Sequence, residues 1–201
     1  MITVLTPATA TRLTTVAAVR ERFGITLQDA ADAVVEGMID VASRMAVEFC
    51  NRTFGRETVK QIDISCRRGS GIFLERSPAT VTAVSEGGQA VAPEGYYLDA
   101  ERNTLVRLSD GRPAYWSGET EITYAAGWIL PGDENATLPV TIEHAALLLI
   151  GAMWSAQQRD PLAKSESVEG VGRVDYFVPG ANTRLPDPQA ELLLQPYRRY
   201  L

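Results

Sequence analysis

The chain has 201 residues, of which 45% are hydrophobic and 22% are charged, so it can form one full domain or two small ones without stabilising disulfides. Its formal net charge is -6, which argues against a surface that binds nucleic-acid phosphates by counterion release. The longest apolar run, from Ala145 to Trp154, has ten residues, whereas a membrane-spanning helix needs about 20. Composition therefore predicts a soluble protein with no membrane partner and no tight nucleic-acid partner.

The first residues are rich in threonine and show no hydrophobic period, so we expect an N-terminal arm over residues 1–14. No basic segment precedes an apolar run here, which predicts a product that is made in the cytoplasm without a secretion signal. The stretch TTVAAVRERFG predicts a short helix over residues 15–23. We expect Gly24 to end it, because glycine tolerates the left-handed conformation that follows a helix.

The clearest helix is predicted over residues 27–51, where apolar residues recur at steps of three and four and charged residues occupy the other face. The apolar set is Leu27, Ala31, Val34, Met38, Val41, Met45 and Phe49, and the polar set is Asp29, Asp32, Glu36, Asp40 and Arg44. We expect Thr26 to cap this helix, with Asp29 as a partial capping-box partner, and Gly55 to follow its end.

From Arg56 to Trp128 the hydrophobic period changes to two and turn residues multiply. The strand-length pieces are TVKQIDISC, GIFLE, ATVTAVSEGG, GYYLDAERNTLVRL and TEITYAAGW. We predict a small antiparallel β unit of four to six strands over residues 56–128, inserted between the helices. Its VSEGGQAV segment contains the Gly-Gly pair of a tight hairpin turn.

A second long helix is predicted over residues 139–159, because Pro139 is tolerated in a first turn, where its missing N–H is not needed. One face of this helix is an apolar stripe, and its other faces also carry apolar residues, namely Leu147, Leu148, Ile150 and Trp154. A helix that is apolar nearly all round requires neighbours on more than one side. The cover must come from the preceding helix together with the β unit, the C-terminal helix or another chain. We predict Leu148 and Trp154 as subunit-interface residues, with the domain's own core as the alternative for Trp154.

Beyond Pro161 the composition loosens, with one alternating stretch from Val171 to Val178 and a short helix predicted over residues 189–199. Residues 161–201 are therefore interpreted as a loose segment and a helix for docking a partner. Aromatic and arginine residues of the kind enriched in interface hot spots gather at the end. The predicted partner-binding residues are Leu193, Tyr197, Arg198, Arg199 and Tyr200. The alternative is that they complete the domain's own core.

No pattern in the sequence rises to a catalytic motif. His144 is the only histidine and has no serine or cysteine motif around it, so a packed histidine is favoured over a catalytic base. The RRGSG segment at 67–71 lacks the ending of a phosphate-binding loop, which favours an exposed turn. Asp32, Glu36 and Asp40 share one helix face, but without a matching set on a second helix a solvated face is favoured.

Cys50 and Cys66 are the only cysteines, and no second cysteine or histidine pair accompanies them to complete a metal set. Free thiols are the favoured interpretation. We expect no catalytic residue, no metal and no cofactor, and hence a protein that is not an enzyme. Two features remain: the helix that is apolar on nearly every side, and the aromatic and arginine residues at the C-terminal end. Both favour association with other proteins.

The order of these parts resembles that of the head-tail connector, or adaptor, proteins of tailed bacteriophages and gene transfer agents. The segments that carry the resemblance are RERFGIT, LQDAADAVVEGMIDVASRMAVEFCNRTFG, EITYAAGW and LPVTIEHAALLLIGAMW, within residues 13–160. The following SAQQRDP differs from the aromatic-Asn-Arg-Glu ending of many members. The resemblance implies an α+β fold: a helical adaptor core of three to four helices over 15–55 and 137–160, interrupted by a β insertion over 56–128.

The resemblance also implies a structural virion protein located in the head-tail neck and made in the cytoplasm of a bacterial host. Such proteins form a ring, commonly of twelve copies, beneath the portal, extend the DNA channel and offer a platform for a stopper or tail component. The C-terminal residues named above would then contact the portal. A net negative charge fits a channel that DNA passes without specific binding, because phosphates are repelled.

Two other interpretations stay open at this point. One is a small ligand-binding or enzymatic domain, in which the β unit holds the ligand. The other is a different neck protein, such as a stopper or a tail terminator, in which β structure normally predominates.

Overall fold

The computed structural model describes residues 1–64, 71–157 and 184–199, together with the backbone of two strands at 165–168 and 172–175. Four α-helices and antiparallel sheets make up the described chain. The α+β class predicted from the sequence is therefore confirmed. None of the described helices is both long and apolar enough to cross a membrane.

Two compact units divide the chain, and each is assembled from separate stretches of sequence. Unit 1 consists of Met1–Ala10 and Gly55–Ile129, and unit 2 consists of Thr11–Phe54 and Leu130–Leu201. The described elements of unit 1 are strands and one short 3-10 turn, Pro93–Gly95, whereas all described α-helices belong to unit 2. The N-terminal residues thus join the β unit rather than forming a region of their own.

Unit 1 contains nine described strands: β1 (Ile2–Thr6), β2 (Glu57–Asp63), β3 (Gly71–Phe73), β4 (Ala79–Glu86), β5 (Gln89–Ala90), β6 (Tyr96–Asp99), β7 (Thr104–Ser109), β8 (Arg112–Pro113) and β9 (Thr120–Ala126). One antiparallel sheet has the order β1-β2-β9-β4-β5, and a second has the order β3-β7-β6, with β8 paired to β7. The number exceeds the predicted four to six because β1 lies outside the predicted range of 56–128 and because β5 and β8 are additional strands of only two residues. The GYYLDAERNTLVRL piece is a hairpin of β6 and β7, whose turn includes Asn103 at φ 50°.

The two sheets of unit 1 share one core, because apolar side chains alternate along their strands. Its buried members are Val59, Ile72, Leu74, Val84, Leu105, Trp116, Ile122, Tyr124 and Ala126. Gln61 is buried beside them, and its side-chain oxygen accepts hydrogen bonds from the Tyr124 hydroxyl and the Glu75 amide, both at 2.9 Å. Buried polar groups of this kind are tolerated when they are paired.

Part of the predicted N-terminal arm, residues 1–14, is a strand. Ile2–Thr6 forms β1 at the edge of the larger sheet, where Ile2 lies opposite Gln61 and Val4 opposite Val59. The N-terminal ammonium group of Met1 donates to the Ile62 carbonyl at 2.8 Å. The partner strand is 61 residues away along the chain, so a local hydrophobic period could not reveal the pairing.

Unit 2 contains helices α1 (Val16–Phe23), α2 (Asp32–Cys50), α3 (Val140–Gln157) and α4 (Pro188–Leu194), a 3-10 turn at Gln195–Tyr197, and a hairpin of β10 (Ser165–Val168) and β11 (Gly172–Asp175). Helix α1 agrees with the prediction over 15–23. The Thr15 hydroxyl accepts from the Ala18 amide at 3.2 Å, and Gly24 takes the left-handed conformation at φ 64°. Strand β11 lies in the predicted alternating stretch, and much of 161–183 lies outside the described residues.

Helix α2 begins at Asp32 rather than at the predicted residue 27. The residues before it form a turn, in which the Asp29 carboxylate accepts hydrogen bonds from the amide and the hydroxyl of Thr26. Thr26 therefore does not cap α2, and Ala31 occupies the N-cap position without a side-chain hydrogen bond. The Thr-x-x-Asp pattern closes a turn of its own because both groups find partners locally.

The buried face of α2 differs from the predicted apolar stripe. Its buried side chains are Val35, Met38, Ile39, Ala42, Ser43, Ala46, Phe49 and Cys50. Leu27, Val34 and Val41 from the predicted stripe are 70%, 47% and 50% exposed. The sequence of α2 thus carries two apolar faces, and hydrophobic period alone does not tell which one meets the core.

Helix α3 spans Val140–Gln157, close to the predicted 139–159. Its fully buried side chains are Ile142, Ala145, Ala146, Leu149 and Ile150, and α1, α2 and α4 all contact it. Leu194 of α4 is also fully buried. The C-terminal helix is therefore one of the sources of cover for α3.

Candidate functional site

The carboxylates on the acidic face of α2 are paired with arginines from the preceding segment. Arg12 donates to Asp40 at 2.7 and 3.0 Å and to Glu36 at 3.2 Å, and Arg20 lies 2.6 Å from Asp32. The hydrogen bond from Arg12 lowers the pKa of Asp40 below its ordinary value. The face is solvent-exposed, as the sequence favours, and its three carboxylates are paired with arginines from the residues before α2.

The residues between β1 and α1 are also tied to both long helices. The Leu13 amide donates to the Ser43 hydroxyl of α2 at 3.0 Å, and the Thr14 hydroxyl donates to the Glu143 carboxylate of α3 at 3.1 Å. The Leu13 side chain is fully buried. These contacts extend the helical unit to residues that carry no helical pattern of their own.

The remaining candidates for chemistry lie apart from one another. His144 is half-buried on α3 and lines the groove described below. Of the RRGSG segment, only Gly71 lies within the described residues, where it begins β3. Throughout the part of the chain that the structure describes, no three histidine, cysteine, aspartate or glutamate side chains are placed to hold a metal ion.

A groove of about 300 Å³ runs along the outer side of α3, and we call it the α3 groove. It is lined by Arg22, Phe23, His144, Leu147, Leu148, Gly151, Ala152, Trp154, Ser155 and Asp187. Both residues predicted for a subunit interface, Leu148 and Trp154, lie in it, and both are half-buried. The α3 groove is therefore a mainly apolar surface with one arginine and one aspartate among its lining residues.

Gly151 shapes the α3 groove because it lacks a side chain. A Cβ atom at this position would lie 2.9 Å from Cε1 of the Phe23 ring, closer than two carbon atoms pack. Phe23 can therefore lie against α3 at this point. A glycine inside a helix costs about 1 kcal/mol relative to alanine, and the contact with Phe23 accounts for its presence here.

A second concave surface, of about 540 Å³, lies at the C-terminal end of α2, and we call it the arginine pocket. It is lined by Met45, Glu48, Phe49, Asn51, Arg184, Leu185, Arg198 and Arg199. The Arg198 guanidinium lies over the Phe49 ring, 5.3 Å from its centre. Among the charged lining residues, Glu48 is paired with Arg44 at 3.0 Å, and the other three are Arg184, Arg198 and Arg199.

The predicted partner-binding residues are placed on their own unit. Leu193 and Tyr197 are half-buried, and the Tyr197 hydroxyl is hydrogen-bonded to that of Thr141 in α3 at 2.8 Å. The Arg199 amide donates to the Cys50 carbonyl of α2 at 2.8 Å. Tyr200 lies outside the described residues. The part of the predicted loose C-terminal region between 184 and 199 is thus packed against α2 and α3, and only Arg198 and Arg199 of the set reach the arginine pocket.

No family model matches the sequence, and no curated protein matches it significantly. Solved structures that match include the neck of an empty gene transfer agent particle computed with C6 symmetry, at 23% identity and a TM-score of 0.55. They also include the neck of a native gene transfer agent particle computed with C12 symmetry, at 20% identity and a TM-score of 0.56. A third is the virion of a native gene transfer agent particle, at 21% identity and a TM-score of 0.56. Each match covers 100% of this chain and 97% of the other. The fold is one found in gene transfer agent necks.

Several residues that line the α3 groove and the arginine pocket have no sequence pattern that predicts their place there. Phe23 and Asp187 join the α3 groove from elements distant along the chain, and Arg184 and Leu185 join the arginine pocket in the same way. Met45 is part of the predicted apolar stripe of α2, but the hydrophobic period of that helix does not predict that Met45 lines a pocket. Of the lining residues that the sequence analysis did not name as contacts, Gly151 has a recognisable pattern, because glycine within a helix indicates a close approach by another group.

We expect Cys50 to be unreactive toward a thiol reagent at neutral pH in folded protein that carries Cys66→Ser. Burial raises the pKa of the Cys50 thiol to about 12, and its S–H group faces the Leu194 carbonyl at 3.6 Å, so the thiolate is scarce and access is blocked. The labelling rate, measured against urea concentration, should rise with unfolding. Rapid labelling in native buffer would show that the C-terminal segment does not cover α2.

Proposed function

We propose that this chain is a structural protein of a virion neck, an adaptor that forms a ring between the portal and the next neck or tail component and extends the DNA channel. It is located in the particle of a tailed bacteriophage or gene transfer agent and is made in the cytoplasm of the bacterial host. The observation that carries the proposal is the match over the whole chain to neck structures of gene transfer agents. The sequence resemblance to adaptor proteins supports it from the segments of α1, α2, β9 and α3.

Ring formation by this chain is supported by the symmetry of the matched assemblies and by the α3 groove. The matched necks were computed with C6 and C12 symmetry, and a ring of twelve copies is compatible with both. The α3 groove offers apolar residues that the chain itself covers only in part, including Leu148 and Trp154. We assign the contact between neighbouring copies to this surface, because aromatic and aliphatic side chains dominate interface cores.

The portal contact is assigned to the arginine pocket. Arg184, Arg198 and Arg199 give it a positive charge, and Met45 and Leu185 give it apolar walls. Such a pocket suits a segment of the portal that carries carboxylates beside an apolar side chain, because arginine pairs well with carboxylates. Leu193 and Tyr197 act indirectly in this proposal, since they hold the C-terminal segment in place.

No enzymatic role is part of the proposal. The acidic face of α2 is occupied by ion pairs with Arg12 and Arg20, and His144 faces an apolar groove. We assign the contact with a stopper or tail component to the β unit.

Replacing Arg184 by alanine is expected to weaken binding to the portal protein of the same gene cluster by about tenfold, because an exposed cation is removed from the rim of the arginine pocket. The side chain of Arg184 is exposed, so the variant should fold normally. Affinity is measured by co-sedimentation with purified portal rings at increasing salt concentration.

The matched control is Arg112→Ala, which removes an exposed arginine from unit 1 and should leave portal binding unchanged. Equal binding by wild type and both variants would move the portal contact away from the arginine pocket. Failure of the well-folded wild-type protein to bind the portal would contradict the adaptor role and leave another neck position or a ligand-binding domain.

The purified chain should not bind duplex DNA tightly at physiological salt. Its net charge of -6 favours repulsion of phosphates, which suits a channel that DNA passes without being held. A filter-binding or anisotropy titration with random-sequence duplex tests this, and a submicromolar dissociation constant at physiological salt would refute the non-binding channel.

A further inference from the structure

The segment that leads into α4, residues 184–187, supplies part of the wall of the arginine pocket. Arg184 and Leu185 both line the pocket, and the Arg184 side chain is exposed whereas Leu185 is buried. Pro186 follows them, and Pro188 is the first residue of α4. Each proline fixes its own φ angle and restricts the residue before it. The backbone of this segment therefore has few conformations open to it.

Glu191 lies in the first turn of α4 and its side chain reaches back to this segment. One carboxylate oxygen, Oε2, accepts hydrogen bonds from the Arg184 amide at 2.8 Å and from the Leu185 amide at 3.3 Å. Hydrogen bonds to an ionised carboxylate are stronger than those between neutral groups. We call this pair of hydrogen bonds the Glu191 clamp.

The Glu191 clamp starts from a fixed part of the backbone. The Asp187 carboxylate caps α4 by accepting from the Ala190 amide at 2.8 Å, and the Glu191 amide donates to the Asp187 carbonyl at 3.2 Å. Ala190 and Leu194 of α4 are fully buried, and α4 contacts α2 and α3. The clamp thus ties the pocket segment to a helix that is itself packed into unit 2.

We infer that Glu191 is a positioning residue of the arginine pocket, which holds Arg184 where its guanidinium group meets a carboxylate of the portal. This inference rests on the proposed portal contact and names the residue that prepares the pocket for it. Ordering a flexible segment during association reduces affinity, and a segment that is ordered beforehand avoids this cost. Glu191 acts through Arg184 and is not itself assigned a contact with the portal.

The other two arginines of the pocket are held by contacts of their own. The Arg198 guanidinium lies over the Phe49 ring, 5.3 Å from its centre, and the Arg199 amide donates to the Cys50 carbonyl at 2.8 Å. The Glu191 clamp therefore acts on the Arg184 side of the pocket. Its loss should weaken portal binding without abolishing it.

The test measures two properties of the full-length chain. Hydrogen exchange of the Arg184 and Leu185 amides is followed by NMR, and affinity for purified portal rings is measured by co-sedimentation. Glu191→Ala removes the acceptor, so both amides should exchange faster than in wild type. Portal binding should weaken about fivefold, which is the size expected when one flexible side chain must be ordered on binding.

Two variants are matched controls for charge. Glu191→Gln keeps an acceptor oxygen but removes the negative charge, so it should retain slow exchange of both amides and bind the portal within about twofold of wild type. Glu21→Ala removes an exposed carboxylate from α1 of the same unit and should match wild type in both measurements. If Glu191→Gln bound as weakly as Glu191→Ala, the charge and not the clamp would be responsible, and the inference would be overturned.

A double variant separates positioning from a general structural effect. Because Arg184 is the group that Glu191 positions, adding Glu191→Ala to Arg184→Ala should weaken portal binding no further than Arg184→Ala alone. Independent effects at two sites add, whereas coupled effects do not. Full additivity of the two losses would show that Glu191 acts through another part of the chain, and it would overturn the inference.

The outcomes separate this inference from the proposed function. If wild type binds the portal and Glu191→Ala binds it equally well, the positioning role is wrong and the adaptor role stands. The same conclusion follows if Glu191→Ala leaves the exchange of both amides unchanged. If well-folded wild type does not bind the portal, the proposed function is contradicted, and the inference fails with it.

Discussion

Helix α3 has apolar side chains on nearly every side, and unit 2 is arranged around that constraint. Its buried side, which includes Ile142 and Leu149, is covered by the other helices, and Phe23 of α1 lies against Gly151. Leu148 and Trp154 remain half-buried on the outer side. The proposed function assigns this outer side to the contact between copies, because exposed apolar surface is unfavourable in water. In that proposal, the helix at the centre of the core also carries the contact with the next copy.

The polar contacts of unit 2 act mainly inside the unit. Arg12 and Arg20 are engaged by the acidic face of α2, and the C-terminal segment is hydrogen-bonded to α2 through Arg199. The two concave surfaces of unit 2 differ in chemistry: the α3 groove is mainly apolar, whereas the arginine pocket has three arginines among its lining residues. In the proposed ring, each copy would bind two identical neighbours and at least one different protein, and two surfaces of different chemistry would divide these contacts.

Local signals predict α1 and α3 well, since Thr15, Gly24 and Pro139 mark helix ends by backbone chemistry that does not depend on the rest of the fold. The face of α2 that meets the core and the pairing of β1 with β2 depend on residues far along the chain, so no local pattern predicts them. The residues of the candidate surfaces also fall into those that local sequence predicts and those that depend on the whole fold. The apolar residues on nearly every side of α3 identify Leu148 and Trp154 in the sequence. No sequence pattern identifies Arg184, because only the fold brings it to the C-terminal end of α2.

The central claim is that this chain forms a closed ring on the portal. Cryo-electron microscopy of the complex between the full-length chain and purified portal rings tests it most directly. The account predicts a continuous ring of density at one end of the portal, with the rotational symmetry expected for a ring of twelve copies and an open channel along its axis. Isolated copies bound at the side of the portal, or portal particles without added density, would contradict it.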